Sequence, residues 1–313
     1  MLCAMQQKSD QFLIIAAFAA IYFIWGSTYL ANWYAIQDIP PFLMSGSRFL
    51  LAGILLYLVA AAFGAAKPTL RNLGHSFITG TLFLAIGTGG VVWAEQYIDS
   101  SMAALLIGAE PLVIVLLMWR LKAKRPSWNS GLGIILGVVG MYFLVGQPVF
   151  LGNKGSVMGL ISIGISMLSW GFVAVKLNDF DLPKSRLQSS ALQMIGGGLC
   201  LFLFASVSGE FADFQWTNLT SRGVYAWFYL IVFGSIITFS AFNYLLTKVS
   251  PEKVATSNYV NPIVALLLGW GINHEEITTQ SFIAAGVLIF SVFLINSKLK
   301  KGSIAFKPFR LSR

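Results

Sequence analysis

The chain is dominated by apolar segments of about 20 residues that follow one another with short polar gaps between them. An α-helix of that length matches the thickness of the hydrocarbon core of a bilayer. Only 11% of the residues are charged, which is too few to cover a folded chain in water. We therefore expect an all-α polytopic membrane protein in a lipid bilayer, with ten transmembrane helices over residues 12–34, 42–63, 74–96, 101–119, 129–147, 155–176, 187–207, 223–246, 253–272 and 279–297.

The positive charges are distributed unevenly over the gaps between these segments. Almost all of the 21 lysine and arginine residues fall in alternate gaps and in the C-terminal tail, whereas the other gaps contain only Lys154 and Arg222. Because cytoplasmic loops carry an excess of positive charge, this pattern predicts that both termini are cytoplasmic. The net charge of +9 does not indicate a nucleic-acid partner, since the basic residues lie in short loops between apolar segments.

The two halves of the sequence resemble each other. Three motifs of the first half recur in the same order in the second half: Trp25-Gly26 as Trp170-Gly171, Pro111 as Pro262, and Gly137-Val138-Val139 as Gly286-Val287-Leu288. Five helices are an odd number, so a second five-helix unit enters the membrane in the opposite orientation. We expect a first repeat over residues 1–147, an inverted repeat over 148–298 and a basic cytoplasmic tail over 299–313; chance matching of common membrane residues is the alternative.

Three charged residues lie within the predicted spans, where a charge costs roughly 2.5–3.5 kcal/mol and therefore faces the bundle interior or water. Arg48 either holds an anionic group of a substrate, forms a structural pair, or extends its side chain to the outer membrane interface. Glu95 either lines a cavity, where it could bind an amine or carry a proton, or is an interfacial residue. Glu110 precedes Pro111, which interrupts helical hydrogen bonding. Glu110 therefore faces a cavity or pairs with Arg48, and we favour the pair.

Aromatic and amide side chains form a second set of candidates. Tyr22, Trp25 and Tyr29 share one face of the first span by helical spacing, and Trp170 is the repeat-related counterpart of Trp25. Ordinary packing is the alternative for the aromatic residues, and helix–helix hydrogen bonding is the alternative for the amides. The residues predicted to line a substrate cavity are Tyr22, Trp25, Tyr29, Arg48, Trp93, Glu95, Glu110, Trp170, Asn243, Tyr244, Asn258 and Asn261.

The sequence contains no pattern typical of an enzyme or a metal site. Two cysteines, Cys3 and Cys200, and two histidines, His75 and His274, are too few and too far apart to suggest a metal centre. Neither a phosphate-binding GxxxxGK[ST] loop nor an HExxH motif occurs. We therefore predict no catalytic residue, no metal and no cofactor.

Four segments resemble the EamA family of the drug/metabolite transporter superfamily: IWGSTY at 24–29, PPFLMSGSRFLLAGILL at 40–56, WAEQYIDSSMAALLIGAEPL at 93–112 and ATSNYVNPIVALLLGWGINHEEIT at 255–278. The resemblance implies ten helices in two inverted repeats, a bacterial-type inner membrane and export of small metabolites, including amino acids. The resemblance places the family's span 2 arginine at Arg48, its span 3 glutamate at Glu95, its span 9 asparagine–proline at Asn261-Pro262 and its acidic residue after span 9 at Glu275. The chain departs from the family pattern at Lys124, where an acidic residue is expected, and Glu110 matches no typical family residue.

The expected function is secondary transport of a small-molecule substrate by alternating access, with Glu95 as the candidate proton carrier. An aromatic, amide-rich cavity with few net charges suits a zwitterionic or uncharged metabolite. A channel or a non-transporting sensor is the alternative from another class, and an intramembrane enzyme is a further one. The sequence leaves open the substrate, the direction of transport, the coupling ion and whether the chain forms a homodimer.

Overall fold

The computed structural model describes residues 2–125, 127–145, 154–249, 254 and 257–296, without the side chains of 2–10, 144–145, 258–259, 292 and 295–296. These residues form helices and connections and contain no β-strand. The predicted tail at 299–313 lies outside the described residues, and so does the side chain of Asn258. The all-helical prediction is therefore confirmed for the described part of the chain.

The helices coincide with the apolar segments of the sequence. α1 comprises Leu2–Ala19, Ala20–Ile24 and Trp25–Ile36; α2 is Pro41–Ala62; α3 comprises Leu70–Gly80, Thr81–Thr88 and Gly89–Ala94; α4 comprises Ser100–Ile107 and Glu110–Lys122; α5 is Trp128–Val145; α6 is Lys154–Lys176; α7 is Arg186–Ser208; α8 comprises Ser221–Tyr229, Leu230–Ile237 and Thr238–Lys248; α9 is Ser257–Asn273; and α10 is Thr279–Asn296. Seven helices, α1–α4 and α6–α8, are long and apolar enough to cross a membrane, whereas the described parts of α5, α9 and α10 are shorter apolar helices.

Among the described residues, five helices contain an internal irregularity. α1, α3 and α8 each contain a π-helical segment, at Ala20–Ile24, Thr81–Thr88 and Leu230–Ile237. α4 is interrupted between Ile107 and Glu110, and α9 contains Pro262. Such interruptions allow a helix to bend and often lie at functional sites. By contrast, α2 and α7 are regular over their full length.

Glycine residues bring α2, α3 and α7 into close contact. A Cβ atom added to Gly53 would lie 2.8 Å from the carbonyl oxygen of Ala191, and one added to Gly198 would lie 2.9 Å from a backbone nitrogen of α2. Gly80 of α3 leaves no room for a Cβ atom beside the carbonyl group of Gln193. Small residues permit this approach of membrane helices, so these three helices form a tightly packed unit.

The surface is apolar and the charged residues of the spans are inside. Phe282 is 71% exposed, and Ile135, Tyr142 and Phe293 are also exposed on α5 and α10. Arg48, Glu95 and Glu110 are buried. This distribution suits a chain solvated by lipid, because hydrocarbon accepts apolar side chains and excludes charges.

The segments that connect consecutive helices lie at two opposite ends of the bundle, where hydrogen bonds and ion pairs join them to neighbouring helices. Residues 37–40, 95–99, 209–220 and 274–278 lie at one end, which we call the Asp38 end. Residues 63–69, 123–125 and 177–185 lie at the opposite end, which we call the Lys122 end. At the Lys122 end, Lys122 forms a 2.9 Å salt bridge with Asp179, and Lys176 lies 3.0 Å from the same carboxylate.

Candidate functional site

A cavity of about 130 Å³ lies inside the bundle. Its walls come from α1, α2, α3, α4, α6, α8 and α9, and they are mainly apolar and aromatic. A few polar groups interrupt the apolar surface: Thr28, Tyr29, Asn32, Arg48, Thr88, Glu110, Ser166, Ser257 and Asn261. A concave apolar site with a few polar groups is typical of small-molecule binding. Of the predicted residues, the structure brings together Trp25, Tyr29, Arg48, Glu110, Trp170 and Asn261.

Arg48 provides the positive charge of the cavity. Its side chain is held between α1 and α8, where Nε donates to Ser235 Oγ at 2.8 Å and Nη1 donates to Asn32 Oδ1 at 3.0 Å. Within the described part of the chain, Arg48 forms no salt bridge. The favoured Arg48–Glu110 ion pair is therefore wrong, because neutral partners on α1 and α8 hold the guanidinium instead. Since a guanidinium carries five N–H groups, Arg48 retains donors for an anion.

The absence of a side chain at Gly234 makes room for this guanidinium. A Cβ atom at position 234 would lie 2.9 Å from Arg48 Nη2 and 3.0 Å from Thr28 Cγ2. Gly234 belongs to the π-helical segment of α8, directly before Ser235, which accepts a hydrogen bond from Arg48. The segment therefore supplies both the space and one of the partners for the arginine.

An aromatic cluster forms the apolar part of the cavity wall. Trp25 and Trp170, which the sequence predicts to be repeat-related, meet edge to face with ring centroids 5.8 Å apart and an interplanar angle of 78°. Phe242 lies 5.1 Å from Trp25, and Phe83 packs behind Trp170 at 4.6 Å. Edge-to-face and tilted aromatic pairs are favourable arrangements that fix ring orientation. The cluster thus presents rigid aromatic surfaces to the cavity.

Glu110 and Asn261 occupy interrupted regions of their helices. Glu110 begins the second segment of α4 and is 7% exposed on the cavity wall. Asn261 precedes the proline of α9, and its amide, oriented as a donor, reaches the carbonyl oxygens of Ile21 at 2.9 Å and Tyr22 at 2.8 Å. Because these carbonyl groups belong to the π-helical segment of α1, Asn261 joins two helices and also lines the cavity.

Glu95 lies outside the cavity lining, at the end of α3. It is 2% exposed, and neither carboxyl oxygen has a hydrogen-bond partner among the described residues. Arg48 and Glu275 are close enough to interact with it electrostatically. A buried carboxyl group without hydrogen bonds is expensive when ionised, and functional sites in membranes often contain one.

The carboxylate of Glu275 binds the N-terminus of α4 close to Glu95. Its carboxylate accepts hydrogen bonds from Ser100 Oγ at 2.6 Å and from the Ser101 backbone N–H at 3.1 Å. Asp99 is the N-cap residue of this helix but makes no capping bond. Burial raises the pKa of Asp99, and the charge of Glu275 raises that pKa further. Glu275 therefore caps α4 from a distant part of the sequence.

The remaining predicted residues lie elsewhere. Tyr22 packs against Phe18, with ring centroids 5.7 Å apart, because the π-helical segment changes the helical register between Tyr22 and Trp25. Trp93 packs against Tyr97 at 5.0 Å. The two α8 residues are also outside the lining: Asn243 donates to Ser190 Oγ at 2.9 Å and Gln193 Oε1 at 3.1 Å, and Tyr244 lies beneath the guanidinium of Arg186 at 5.1 Å.

Sequence reasoning missed Asn32, Ser235 and Gly234, which position Arg48. Asn32 follows Trp25 and Tyr29 at helical spacing on the same face of α1, so the sequence did contain a signal for it. Ser235 and Gly234 carried no such signal, because their role depends on the packing of α8 against α2. Metal binding has no support in the described residues, where no suitable group of three or more His, Cys, Asp and Glu residues occurs.

The fold and the cavity together define a multi-pass membrane protein with a cavity in its interior. The EamA-like transporter family matches residues 11–146 and 157–297, and the chain belongs to this family. It is 35% identical over 286 residues to the uncharacterized inner membrane transporter YedA of Escherichia coli K12, which covers 90% of each chain.

More distant relatives agree with this membership. The chain is 21% identical to the uncharacterized transporter YoaV of Bacillus subtilis, over 90% of this chain and 96% of YoaV. A solved crystal structure of a protein with 17% sequence identity superimposes with a TM-score of 0.66, covering 90% of this chain and 96% of that chain. At this identity the structural similarity establishes the fold alone.

Proposed function

We propose that the chain is a secondary transporter that exports small metabolites, such as amino acids or related compounds, by alternating access. The observation that carries the proposal is the internal cavity whose wall contains Arg48 without a salt bridge among the described residues. A buried cation that forms no salt bridge among the described residues suits an anionic group that arrives with a substrate. The relative YedA is named an inner membrane transporter, which supports the same location for this chain.

The proposed topology has ten transmembrane helices and two inverted repeats, over residues 1–147 and 148–298, with a cytoplasmic tail at 299–313. α5, α9 and α10 then join the seven longer apolar helices. A local similarity between α3 and α8 supports the repeats. In each helix a threonine at the C-terminal end of the π-helical segment, Thr88 as its last residue and Thr238 as the first residue after it, donates to a carbonyl five residues earlier: Thr88 to Phe83 at 3.3 Å and Thr238 to Phe233 at 2.6 Å. The positive charges of the Lys122 end then lie in the cytoplasm, and the Asp38 end faces outward.

The cavity chemistry favours a zwitterion with an apolar body. The free N–H groups of Arg48 suit a carboxylate, and the carboxyl group of Glu110 suits an amine on the same cavity wall. Trp25 and Trp170 offer aromatic surface to the apolar part of the molecule. This assignment gives each end of the substrate a different partner, so orientation within the cavity is defined.

The experiment is a metabolite screen of cells that overproduce the protein. We expect a zwitterionic metabolite to accumulate in the medium, and Arg48→Ala to reduce its export roughly tenfold or more, because one charged hydrogen bond is lost. Arg48→Lys keeps the charge but not the planar fork, so it should recover part of the export. Export of no metabolite, or unchanged export by Arg48→Ala at equal protein level, would contradict the proposal.

Proton coupling through Glu95 forms a separate part of the proposal. The buried carboxyl group lies near Arg48, so a change in its protonation alters the field at the proposed anion site. In vesicles, a pH gradient should accelerate transport by the unmodified protein and by the exposed-loop control Glu276→Gln. Glu95→Gln should keep transport without a gradient but lose the acceleration. Equal acceleration in Glu95→Gln would remove this residue from coupling.

A channel or a non-transporting sensor is the alternative function. A carrier exchanges labelled against unlabelled substrate, so preloaded vesicles should show transient accumulation of label by counterflow. A channel shows no such accumulation, and a sensor moves no substrate. The relatives are named transporters, which supports the carrier over both alternatives and over an intramembrane enzyme.

A further inference from the structure

Asp38 binds the start of α8 across a long sequence separation. Its Oδ2 atom accepts hydrogen bonds from the Thr220 backbone N–H at 2.8 Å and from Thr220 Oγ1 at 2.6 Å. Gly223, in the first turn of α8, lies against the same carboxylate and leaves no room for a Cβ atom. We call this contact the Asp38 clasp. It joins the end of α1 to the beginning of α8.

A second contact of the same kind joins α9 to α4. Glu275 follows α9 and accepts hydrogen bonds at the first turn of α4, from Ser100 and Ser101. Gly269 of α9 faces the Glu275 carboxylate and also leaves no room for a Cβ atom. We call this contact the Glu275 clasp. In both clasps a carboxylate meets the N-terminus of a helix, where free N–H groups and the helix dipole favour negative charge.

The clasps connect helix segments that adjoin the irregular parts of their helices. Beyond its π-helical segment, α1 ends in Trp25–Ile36, and α8 begins with Ser221–Tyr229 before its own. The first segment of α4, Ser100–Ile107, precedes the interruption, and the Glu275 clasp holds the part of α9 that follows Pro262. Each interruption provides a bending point near the cavity, so these four segments are able to swing at the Asp38 end.

A third carboxylate provides an internal comparison. Glu210 accepts a hydrogen bond from the Leu43 backbone N–H at 2.8 Å and thereby caps α2. It follows α7, and α2 and α7 are regular helices in close contact through Gly53 and Gly198. The chemistry is the same as in the clasps, but the helices that Glu210 joins have no bending point.

The cavity is closed at the Asp38 end. Buried apolar residues of several helices, including Ala35, Leu43, Met44 and Val92, pack together there. In the opposite direction the cavity lining extends to Leu246, two residues from the end of α8 at the Lys122 end. The clasps therefore lie over the closed side of the cavity.

We propose that the Asp38 and Glu275 clasps hold this transporter closed at the Asp38 end, and that both open when the cavity becomes accessible from that side. This inference rests on the proposed alternating-access function. Loss of either carboxylate removes a charged hydrogen bond from the closed state alone, so the equilibrium shifts toward the state that is open at the Asp38 end.

The test is thiol labelling in a protein whose native cysteines, Cys3 and Cys200, are replaced by serine. Val91→Cys places the reporter thiol on the cavity wall, and Thr217→Cys places a reference thiol on the exposed 209–220 connection. A membrane-impermeant maleimide is added from the side that labels Thr217→Cys, so the assay does not depend on the assumed orientation. Asp38→Ala or Glu275→Gln should increase the labelling rate of the cavity thiol roughly tenfold.

Matched variants separate the clasps from general structural damage. Glu210→Gln removes the comparison carboxylate, and Gly271→Ala adds a methyl group in open space on α9; both should label at the original rate. Gly223→Ala and Gly269→Ala should increase labelling by displacing each carboxylate, which keeps the test valid if Asp38→Ala does not fold. Unchanged labelling in the clasp variants, or an equal increase in Glu210→Gln, overturns the proposal.

The labelling assay needs no substrate, so its outcome is separate from that of the export screen. Increased labelling in a protein that exports nothing would support the clasps and contradict the proposed transport. Unchanged labelling in a protein that exports an identified metabolite would contradict the clasps and leave the transport proposal in place.

Discussion

Gly234→Ala is the most direct test of the Arg48 site, because it changes the position of the guanidinium without removing it. The added Cβ atom would lie 2.9 Å from Arg48 Nη2. Since non-bonded heavy atoms prefer roughly 3.5–4.0 Å, the guanidinium must move by about 0.6–1.1 Å. The hydrogen bond from Nη1 to Asn32 is already 3.0 Å long, so the smaller movement, if directed along this bond, brings it beyond hydrogen-bonding distance.

We expect this movement to weaken substrate binding more than it lowers the stability of the folded protein. Loss of one hydrogen bond to a charged group costs about 1.5–3 kcal/mol, which corresponds to a roughly ten- to hundredfold loss of apparent affinity for an anionic substrate group. The atom nearest to the new Cβ, Arg48 Nη2, is the far end of a flexible side chain. The loss of stability should therefore be near the lower limit for overpacking, about 1 kcal/mol.

The assay measures export against substrate concentration, together with the melting temperature of the purified protein. Gly164→Ala is the control, because a Cβ atom at that glycine of α6 meets no atom within 4 Å. The control should match the unmodified protein in both measurements. An unchanged apparent substrate affinity in export by a folded Gly234→Ala protein would refute the role given to Arg48. A large fall in melting temperature would instead show that the guanidinium cannot yield as argued.

Three other predictions address the cavity wall, the helix packing and a buried cap. Trp170→Ala should lower apparent substrate affinity severalfold in export assays, while Trp170→Phe retains an aromatic surface beside Trp25 and most of the affinity; equal affinities in the two variants would count against an aromatic contact. Gly80→Ala should destabilise the protein by about 1–3 kcal/mol or more in thermal unfolding, because α3 and α7 must separate, whereas Gly74→Ala on the same helix meets open space and should have no effect. Burial raises the pKa of Glu210, although the backbone N–H groups of Leu43 and Phe42 oppose this, so the folded protein retains a proton that the unfolded chain has released. Stability should therefore fall as pH rises from about 4 through the raised pKa, and a melting series should show this slope reduced in Glu210→Gln.

The class of fold was accessible from sequence because lipid imposes a simple requirement on composition. Each span must be a long apolar helix, so the apolar segments appear in the structure as helices at the expected places. The position of Arg48 inside a span likewise predicted a buried site, since a charge in hydrocarbon must face the interior. Trp25 and Trp170 were predicted as a pair from matching motifs in the two halves of the sequence, and the structure brings their rings into contact.

The contacts that these side chains make could not be predicted from helical periodicity. A π-helical segment changes the register within α1, which separates Tyr22 from Trp25 and places the side chain of Tyr22 outside the cavity lining. Asn243 was expected in the cavity but faces Ser190 and Gln193. An amide in a span must satisfy its hydrogen bonds somewhere, and the sequence does not say on which neighbour.

The sequence alone therefore determined that the chain is a multi-helix membrane protein with a buried arginine, because hydropathy and the cost of charge in lipid act on each segment separately. Tertiary structure decided that neutral Asn32 and Ser235 hold Arg48. It also decided that Asp38 and Glu275 cap helices far away in sequence. These contacts arise only when separate helices pack, and a hydrogen bond is formed at distances and angles that no single segment fixes.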